Sequence, residues 1–351
     1  MSPSKIELQA EELEALIREQ GFPKAAFVRS SDLPQSVSRH PQIAALGEGT
    51  FLMTALSCYR EEAEDLSGSG DPHGLIAPFA RRNYYAEAVA RMKGVVRALY
   101  KTCGFSKQAL RIFCNSPLPE KALAVLSGLG SYGKNTLILI PGMGSLFVIA
   151  GLFVPASVVG FPGPGSLQSN KHAGTVQEAD AYPRFPLCGD CRACQNACPV
   201  DALDEAGHLD ESRCLQALCT KPLHFSEAAR RAWAFRLYGC QSCQDVCPHN
   251  RDLSAGTTTR RGELGPSLSL RYLLCLSSER FKEHIRGSAL ARSWIPPRTL
   301  LRNTLLAAGN RRDPVLLEAV TRHCSNPDPL VAEAAEWAAR RIADARDGAG
   351  R

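Results

Sequence analysis

Eight cysteines in the second half of the chain have the spacing of ligands for two iron–sulfur clusters. The run from Cys188 to Pro199 has the C-x2-C-x2-C-x3-C-P pattern of bacterial ferredoxins. A second run, from Cys240 to Pro248, lacks only the first cysteine of that pattern, and Cys214 lies between the two runs. Because two clusters in one chain can pass electrons in sequence, the pattern indicates a protein that performs or feeds a reduction.

The cysteine before each proline is expected to ligate the other cluster, as in two-cluster ferredoxins. The first cluster is therefore assigned to Cys188, Cys191, Cys194 and Cys247. The second cluster is assigned to Cys198, Cys214, Cys240 and Cys243. Tetrahedral zinc is the alternative, since C-x2-C pairs also bind zinc. Zinc explains neither the third cysteine of each run nor the paired C-x3-C-P endings.

The composition is that of a globular chain with room for several hydrophobic cores. It has 351 residues, of which 44% are hydrophobic, enough for two or three domains. No apolar leader is visible in residues 1–10, and the longest apolar stretch, 146–156, is too short to span a bilayer. We therefore expect a monomer without membrane contact in the reducing cytoplasm, where thiolate ligands persist.

The net charge is +6, and the excess is concentrated in one stretch. Between Arg251 and Arg312 there are 12 lysines and arginines against 4 aspartates and glutamates. Such a segment indicates either a polyanionic partner, with nucleic acid first, or an ordinary solvated face whose arginine stems cover apolar surface. Both interpretations stay open on charge alone. The candidate RNA-facing stripe consists of Arg286, Arg292, Arg298 and Arg302.

The first part of the chain alternates apolar strand patterns with amphipathic helix patterns. Strands are predicted at 25–28, 51–56, 110–114, 137–140 and 146–153, and helices at 6–20, 83–101 and 119–126. That alternation is typical of a layered α/β domain, predicted here over residues 1–154. Residues 155–186 are rich in glycine, proline and serine, and are predicted to form a loop between domains.

The remainder is predicted to be a cluster domain followed by helices. A ferredoxin-like two-cluster domain is expected over residues 187–250, and a polar linker over 251–266. Helical patterns at 300–308, 314–324 and 329–343 predict a helical tail over 267–351, whose paired helices resemble a HEAT-type repeat. The expected fold class is therefore α+β and multidomain.

Several motifs around and beyond the cysteines occur together in one family. They are the cysteine runs with Ala202-Leu203 and Arg213-Cys214, the stretch 236–250, Gly133-Lys134-Asn135 upstream, and Arg302-Asn303 and Gly309-Asn310 downstream. In this combination the chain resembles the epoxyqueuosine reductase family, the cobalamin-dependent enzymes that complete queuosine in tRNA. The resemblance covers nearly the whole chain, and the combination is far more specific than the cluster motifs alone.

The resemblance implies a mechanism and further site residues. A base-off corrinoid would sit between the N-terminal domain and two [4Fe–4S] clusters, which would carry electrons to its cobalt. An acid would supply a proton as the epoxide becomes an alkene, and the basic tail would bind the tRNA backbone. A low-potential donor such as flavodoxin or ferredoxin would supply the electrons. The corrinoid contacts implied are Asn83, Cys114, Lys134, Asn135, Ile138 and Ile149.

The chain departs from this family at the substrate end. The family carries an aspartate as proton donor before its Pro-x-x-Glu-Lys segment, and Cys114 occupies that position here, with Asn115 beside it. Cys114 is therefore the candidate catalytic residue, as a thiol that donates a proton or approaches the cobalt. The alternative is a buried strand-end cysteine acting as a small hydrophobe. Asn83 stands where the family usually has an acid, and Ile76 where some members have a cysteine.

These departures leave three alternatives to epoxyqueuosine reduction open. A paralogue could reduce another substrate with the same cofactors, which complementation of a strain lacking the reductase would reveal. A non-catalytic electron carrier would show clusters without affinity for a corrinoid. An RNA-binding protein with structural clusters would fold and bind tRNA without them.

Overall fold

The chain divides into two compact units, each assembled from separate stretches of sequence. The computed structural model describes residues 6–58, 71–106, 108–162, 185–203, 207–251 and 262–349. The first unit comprises Met1–Cys58, Tyr84–Arg192 and Cys247–Thr259, and the second comprises Tyr59–Asn83, Ala193–Val246 and Arg260–Arg351. The domain boundaries expected from composition stay a prediction, and each unit takes residues from the segment 187–250.

The described strands and helices alternate irregularly along the chain. The strands are β1 (Glu7–Gln9), β2 (Ala25–Arg29), β3 (Thr50–Ser57), β4 (His73–Ile76), β5 (Arg111–Phe113), β6 (Ser131–Tyr132), β7 (Ile138–Leu139), β8 (Phe147–Val154), β9 (Ser157–Val159), β10 (Arg236–Tyr238) and β11 (Ser267–Ser269). The helices are α1 (Ala10–Glu19), α2 (Gln35–Ser38), α3 (Pro41–Ala44), α4 (Tyr84–Cys103), α5 (Glu120–Leu126), α6 (Ala193–Asn196), α7 (Leu215–Leu218), α8 (Glu227–Ala232), α9 (Ser242–Asp245), α10 (Leu270–Cys275), α11 (Ser278–His284), α12 (Pro297–Arg311), α13 (Leu317–Thr321) and α14 (Pro329–Ala349).

The first unit is built on a four-stranded sheet with the order β2-β3-β8-β5. The mixture of strands and helices in this unit is as expected. All three strand pairings are antiparallel, however, so the strands are not joined by parallel crossovers. Phe51 packs against Phe153 with ring centroids 5.0 Å apart, and the Phe113 ring meets Phe51 edge-on. Gly151 lies opposite Phe113, where a Cβ atom would overlap the Phe113 ring. This close approach fixes the end of β5, directly before Cys114.

Two predictions for the first unit are wrong in part. Residues 6–20 are not one helix, because Glu7–Gln9 form β1 and only Ala10–Glu19 are helical. The expected loop 155–186 contains β9, which pairs parallel with β1. Local patterns missed both strands because each one is stabilised by a partner about 150 residues away in the sequence. The rest of that loop, 163–184, lies outside the described residues.

The second unit has a small sheet, β10-β4-β11, and a helical core around the fully buried Trp233. The three expected helices are confirmed with different bounds: α12 begins at Pro297, a favoured first helical position, and ends where Arg312 adopts a positive φ of 54°. Residues 314–324 form a short 3₁₀ turn followed by α13, and 267–269 form a strand rather than a helix. The HEAT-like arrangement stays a prediction, and residues 252–261 of the expected linker lie outside the described residues.

Across the described parts of both units, no helix has the length and apolar character needed to cross a membrane.

Candidate iron–sulfur centres and a strand-end acid cluster

Four cysteines of the second unit, the second cysteine group, lie close enough to affect one another electrostatically. They are Cys198, Cys214, Cys240 and Cys243. Burial first, and then the negative charges of Cys240, Cys194, Cys214 and Cys198, raise the pKa of Cys243 to about 12. The fold therefore brings together the four thiols that the sequence assigned to the second cluster. Cys194, which was assigned to the first cluster, lies nearby.

Short elements hold these four sulfurs in place. Cys214 directly precedes α7, and backbone N–H groups of Gln216 and Ala217 partly offset the burial that raises its pKa. The Cys198 Sγ accepts a hydrogen bond from the Ala202 N–H at 3.2 Å. Such N–H···S contacts are among the features that set the reduction potential of an iron–sulfur cluster.

Gln216 links two of the cysteine-bearing segments. Its Oε1 accepts a hydrogen bond from the Cys240 N–H at 3.0 Å, while its own backbone N–H faces Cys214. A single side chain thus fixes the loop before α9 against the start of α7. Sequence reasoning gave Gln216 no role, because only its contrast with the family pattern was visible.

The first cysteine group, Cys188, Cys191, Cys194 and Cys247, is divided between the units. Cys188, Cys191 and Cys247 belong to the first unit. Burial raises the pKa of Cys247 most, and Cys188 and Cys191 raise it too, against hydrogen bonds from the His249 and Asn250 N–H groups. Cys194 lies in α6 of the second unit, and its assignment to this group rests on the sequence motif.

Polar side chains anchor the loops that carry the first group within the first unit. The Lys134 Nζ donates to the Gly189 carbonyl oxygen at 2.7 Å, and the His249 ring lies 2.8 Å from the Leu187 carbonyl oxygen. The Asn250 side chain, 2% exposed, accepts from the Ser145 N–H at 2.8 Å and donates to the Ser145 hydroxyl at 3.0 Å. Asn250 ends the stretch 236–250 that carries the family resemblance, which was the available signal for this contact.

No three metal-ligating side chains of the described residues converge on a single ion. A cubane binds its thiolates through four separate iron atoms, so a [4Fe–4S] site does not require such convergence.

A second cluster of titratable groups, the strand-end acid cluster, consists of Cys58, Tyr85, Cys114 and Glu120 in the first unit. The Cys114 thiol donates to the Ile149 carbonyl oxygen at 3.0 Å. Burial, followed by the Glu120 charge, raises the pKa of Cys114 to about 12. Burial also raises the pKa of Tyr85 to about 12, with smaller contributions from Cys58, Cys114 and Glu120. Cys114 is therefore a protonated, half-buried thiol among other titratable groups.

The Glu120 carboxylate organises the turn that follows Cys114. One oxygen accepts the Asn115 N–H at 3.0 Å and the other accepts the Ser116 N–H at 2.7 Å. Asn115 has a φ of 52°, a left-handed conformation that asparagine tolerates better than most residues. Burial raises the pKa of Glu120 although these hydrogen bonds lower it. Tyr85 and Glu120 were not predicted as site residues: Tyr85 is remote from Cys114 in the sequence, and Glu120 belongs to the Pro-x-x-Glu-Lys segment but was given no role.

The residues predicted to contact a corrinoid have different surroundings. Asn83 belongs to the second unit, where its N–H donates to the Gly287 carbonyl oxygen at 2.9 Å. Ile138 is 3% exposed and packs in the core of the first unit, and Ile149 packs against the same core. Asn135, 5% exposed, accepts the Leu137 N–H within its own turn.

The four arginines of the predicted RNA-facing stripe divide into two classes. Arg286 and Arg298 are exposed, and Arg298 lies 3.5 Å from Asp328. Arg292 lies over the ring of the exposed Trp294 at 4.5 Å. Arg302 is only 1% exposed, so the prediction that it faces RNA is wrong. Helix α12 buries residues on most of its circumference, which an arginine spacing pattern does not reveal.

The coupled thiols and the mixed fold define an iron–sulfur protein of the double-cluster class. The family described as a 4Fe-4S double cluster binding domain matches residues 187–250. The match supports two iron–sulfur clusters in this segment.

Curated relatives named epoxyqueuosine reductase match much of the chain. The Vibrio cholerae protein is 31% identical over 288 residues, which cover 79% of this chain and 70% of that protein. The Pseudomonas aeruginosa protein is 34% identical, with 66% of this chain and 60% of that protein covered. The Bacillus subtilis protein is 30% identical, with 65% of this chain and 54% of that protein covered. The chain belongs to the epoxyqueuosine reductase family, although it spans little more than half the length of the last two relatives.

Solved epoxyqueuosine reductases share the fold. The structure from Streptococcus thermophilus aligns with a TM-score of 0.77 at 21% identity, covering 95% of this chain and 90% of that chain. A structure of the enzyme with an epoxyqueuosine-modified tRNA-Tyr stem loop aligns with a TM-score of 0.76 at 22% identity, covering 95% of this chain and 89% of that chain.

Proposed function

We propose that this protein reduces epoxyqueuosine to queuosine in tRNA. The overall change consumes two electrons and two protons, breaks both carbon–oxygen bonds of the epoxide, forms the alkene and releases the oxygen as water. The observation that carries the proposal is the complete set of eight cluster cysteines in a chain of this family. A solved relative bound to an epoxyqueuosine-modified stem loop supports tRNA as the partner.

Two [4Fe–4S] clusters would deliver the electrons, one on each cysteine group. The mutual electrostatic effects of Cys243 with Cys198, Cys214 and Cys240 support the second assignment. The effects of Cys188 and Cys191 on Cys247 support three ligands of the first. A coordinating metal holds a thiol deprotonated and thereby offsets the repulsion among these sulfurs.

Cobalamin is the proposed second cofactor, and part of its predicted residue set fits a large polar ligand. Cys114, Lys134 and Ile149 retain partial or full exposure, whereas Asn135 and Ile138 are buried within the first unit. The first three are therefore the residues of that unit that would hold it. When bound, cobalamin would supply a low-valent metal centre that transfers electrons to carbon.

The strand-end acid cluster would manage the protons of the reaction. Cys114 holds a proton on Sγ, because burial and the Glu120 charge both oppose its loss. Glu120 fixes the turn beside that proton through the Asn115 and Ser116 N–H groups. In this proposal the Cys114 thiol takes the place of the aspartate that the family carries, and Glu120 orients it.

The remaining partners follow from charge and chemistry. The exposed Arg286 and Arg298, and Arg292 stacked on Trp294, would contact the tRNA backbone and bases. A low-potential donor such as flavodoxin or ferredoxin would reduce the clusters. We further propose a monomer in a reducing cytoplasm, with HEAT-like packing of the C-terminal helices.

The test is reduction of tRNA by anaerobically purified protein with its clusters intact, supplied with cobalamin and a low-potential reductant. Digestion to nucleosides and mass spectrometry should show epoxyqueuosine replaced by queuosine. The matched control is Cys243→Ser, which should lose turnover. Protein with full iron and bound cobalamin that leaves the epoxide untouched would contradict the proposed substrate.

A further inference from the structure

A buried arginine lies behind the second cysteine group. Arg302 in α12 is 1% exposed, and its guanidinium stacks over the Phe225 ring at 4.2 Å. Its Nη1 donates to the carbonyl oxygens of Lys221, at 3.0 Å, and Leu223. Its Nη2 donates to the carbonyl oxygens of Leu218, at 3.3 Å, and Cys219, at 3.4 Å.

Every acceptor that the structure describes for this guanidinium is neutral. The remaining one is the Asn303 side-chain oxygen, which accepts from Nε at 3.0 Å and Nη2 at 2.8 Å. Burial lowers the pKa of Arg302 to about 10, so it stays cationic at neutral pH. A buried charge costs several kcal/mol unless an opposite charge or oriented dipoles compensate it. Here carbonyl dipoles orient the cation, and the net positive charge remains.

The peptide segment that Arg302 binds leads directly to a cluster cysteine. Cys214 precedes α7, and the Leu218 N–H donates to the Cys214 carbonyl oxygen at 2.9 Å. One helical turn, which rises about 5.4 Å, therefore separates Cys214 from Leu218, the first residue whose carbonyl group Arg302 binds. Cys219 lies between the two, because it interacts electrostatically with Arg302 and also with Cys214 and Cys240.

We propose that Arg302 is a positioning residue whose buried positive charge raises the reduction potential of the second cluster. A [4Fe–4S] centre held by four thiolates becomes more negative on reduction, so a nearby buried cation stabilises the reduced state. The carbonyl contacts keep the cation at a fixed place behind Cys214. The inference rests on the proposed ligands Cys198, Cys214, Cys240 and Cys243, but not on the identity of the substrate.

The competing role is purely structural, with Arg302 serving only to tie α12 to the segment 218–223. The two roles differ in their dependence on charge. Arg302→Met and Arg302→Lys both lose the forked hydrogen bonds, but only Lys keeps a cation. A structural role predicts similar potentials for the two variants, whereas an electrostatic role separates them.

The experiment is a redox titration of the anaerobic holoprotein followed by EPR. In Arg302→Met the equilibrium constant for reduction of one cluster should fall about tenfold, which is a shift of about 59 mV to more negative potential for one electron. Arg302→Lys should stay closer to the unmodified protein, and the other cluster serves as an internal reference. Equal potentials in Arg302→Met and the unmodified protein would overturn the proposal, as would equal shifts in both variants.

Asn303 provides a second route if Arg302→Met does not fold. Asn303→Asp places a carboxylate against the intact guanidinium and should lower the same potential, whereas Asn303→Ser removes the contact without adding charge. An unchanged potential in Asn303→Asp would contradict the proposal. Iron determination on Cys214→Ser tests the ligand assignment separately: full iron in that variant would refute the assignment, while a failure of tRNA reduction alone would leave the Arg302 result standing.

Discussion

The second cysteine group and the strand-end acid cluster both contain half-buried thiols whose pKa is raised to about 12, yet their surroundings differ. The pKa of Cys243 is raised first by burial and then by the charges of four other cysteines. The pKa of Cys114 is raised first by burial and then by the charge of the Glu120 carboxylate. Mutual repulsion among several thiols is relieved by bound metal, whereas a thiol beside a carboxylate remains protonated.

The backbone contacts reinforce that difference. In the cysteine group, sulfurs accept N–H groups, as Cys198 does from Ala202. At the strand end, the sulfur is the donor, and Cys114 gives its proton to the Ile149 carbonyl oxygen. Without bound metal the thiol is favoured in both places, so a raised pKa alone does not separate a metal ligand from a proton donor. The neighbouring groups do separate them, because four other cysteines act on Cys243 and a carboxylate acts on Cys114.

The largest expected effect is on iron content. Cys243→Ser should reduce iron from about eight to about four atoms per chain, because one cubane loses a ligand. Cys219→Ser is the matched control, since Cys219 is fully buried beside the same group but is not an assigned ligand. Iron assay and EPR of the reduced proteins provide the measurement. Equal iron loss in both variants would contradict the assignment of Cys243, but not Cys219, as a cluster ligand.

The next effect concerns turnover with the clusters intact. Cys114→Ala should slow queuosine formation about 100-fold, the lower range for loss of a general acid. Cys114→Asp, which restores the family's acid, should retain or increase the rate. Both variants should keep their full iron content, which would show that the strand-end acid cluster affects turnover without affecting the iron–sulfur clusters. Undiminished turnover in Cys114→Ala would return Cys114 to the role of a small hydrophobe.

The second cysteine group was easier to predict from the sequence than the strand-end acid cluster. The spacing of the cysteines specifies their chemistry within a few residues, because tight loops around a cluster are local structures. The strand-end cluster depends on tertiary approach: Tyr85 lies in the first turn of a long helix, Cys114 follows a strand and Glu120 begins another helix. Cys114 and Glu120 had a sequence signal, through the family's Pro-x-x-Glu-Lys segment and the position before it, but Tyr85 had none.

Arg302 shows the opposite failure, in which a clear pattern led to a wrong location. The basic segment predicted a surface stripe that included Arg302, but α12 buries that residue together with Thr299, Asn303 and Thr304. Polar residues normally indicate the solvent side of a helix. Here their side chains form hydrogen bonds inside the second unit, such as the one that the Asn303 Nδ2 donates to the Cys219 carbonyl oxygen at 3.2 Å.

A smaller effect is expected from the anchor of the first cysteine group. Asn250→Ala leaves the buried Ser145 N–H without its acceptor, which should cost about 1–3 kcal/mol. Urea unfolding followed by cluster absorbance should show an earlier transition. Asn250→Asp keeps the acceptor for that N–H and should lose less. A variant pair with identical transitions would mean that the loop after Cys247 is held by other contacts.

The smallest effect isolates the charge of Glu120 at the strand end. The carboxylate raises the pKa of Cys114, so Glu120→Gln should lower that pKa and increase the thiolate fraction at a fixed alkaline pH. Alkylation requires thiolate, so iodoacetamide should label Cys114 a few-fold faster in the variant, about threefold at pH 9. In the unmodified protein the rate should keep rising with pH toward about 12, because the folded-state pKa of Cys114 lies there, whereas in the variant the rate should level off at a lower pH. Peptide mass spectrometry gives the labelling rate, with the exposed Cys275 as the reference for reagent activity.

Equal labelling rates with and without the Glu120 carboxylate would show that burial alone holds the proton on Cys114. Glu120 would then act only through the turn at Asn115 and Ser116.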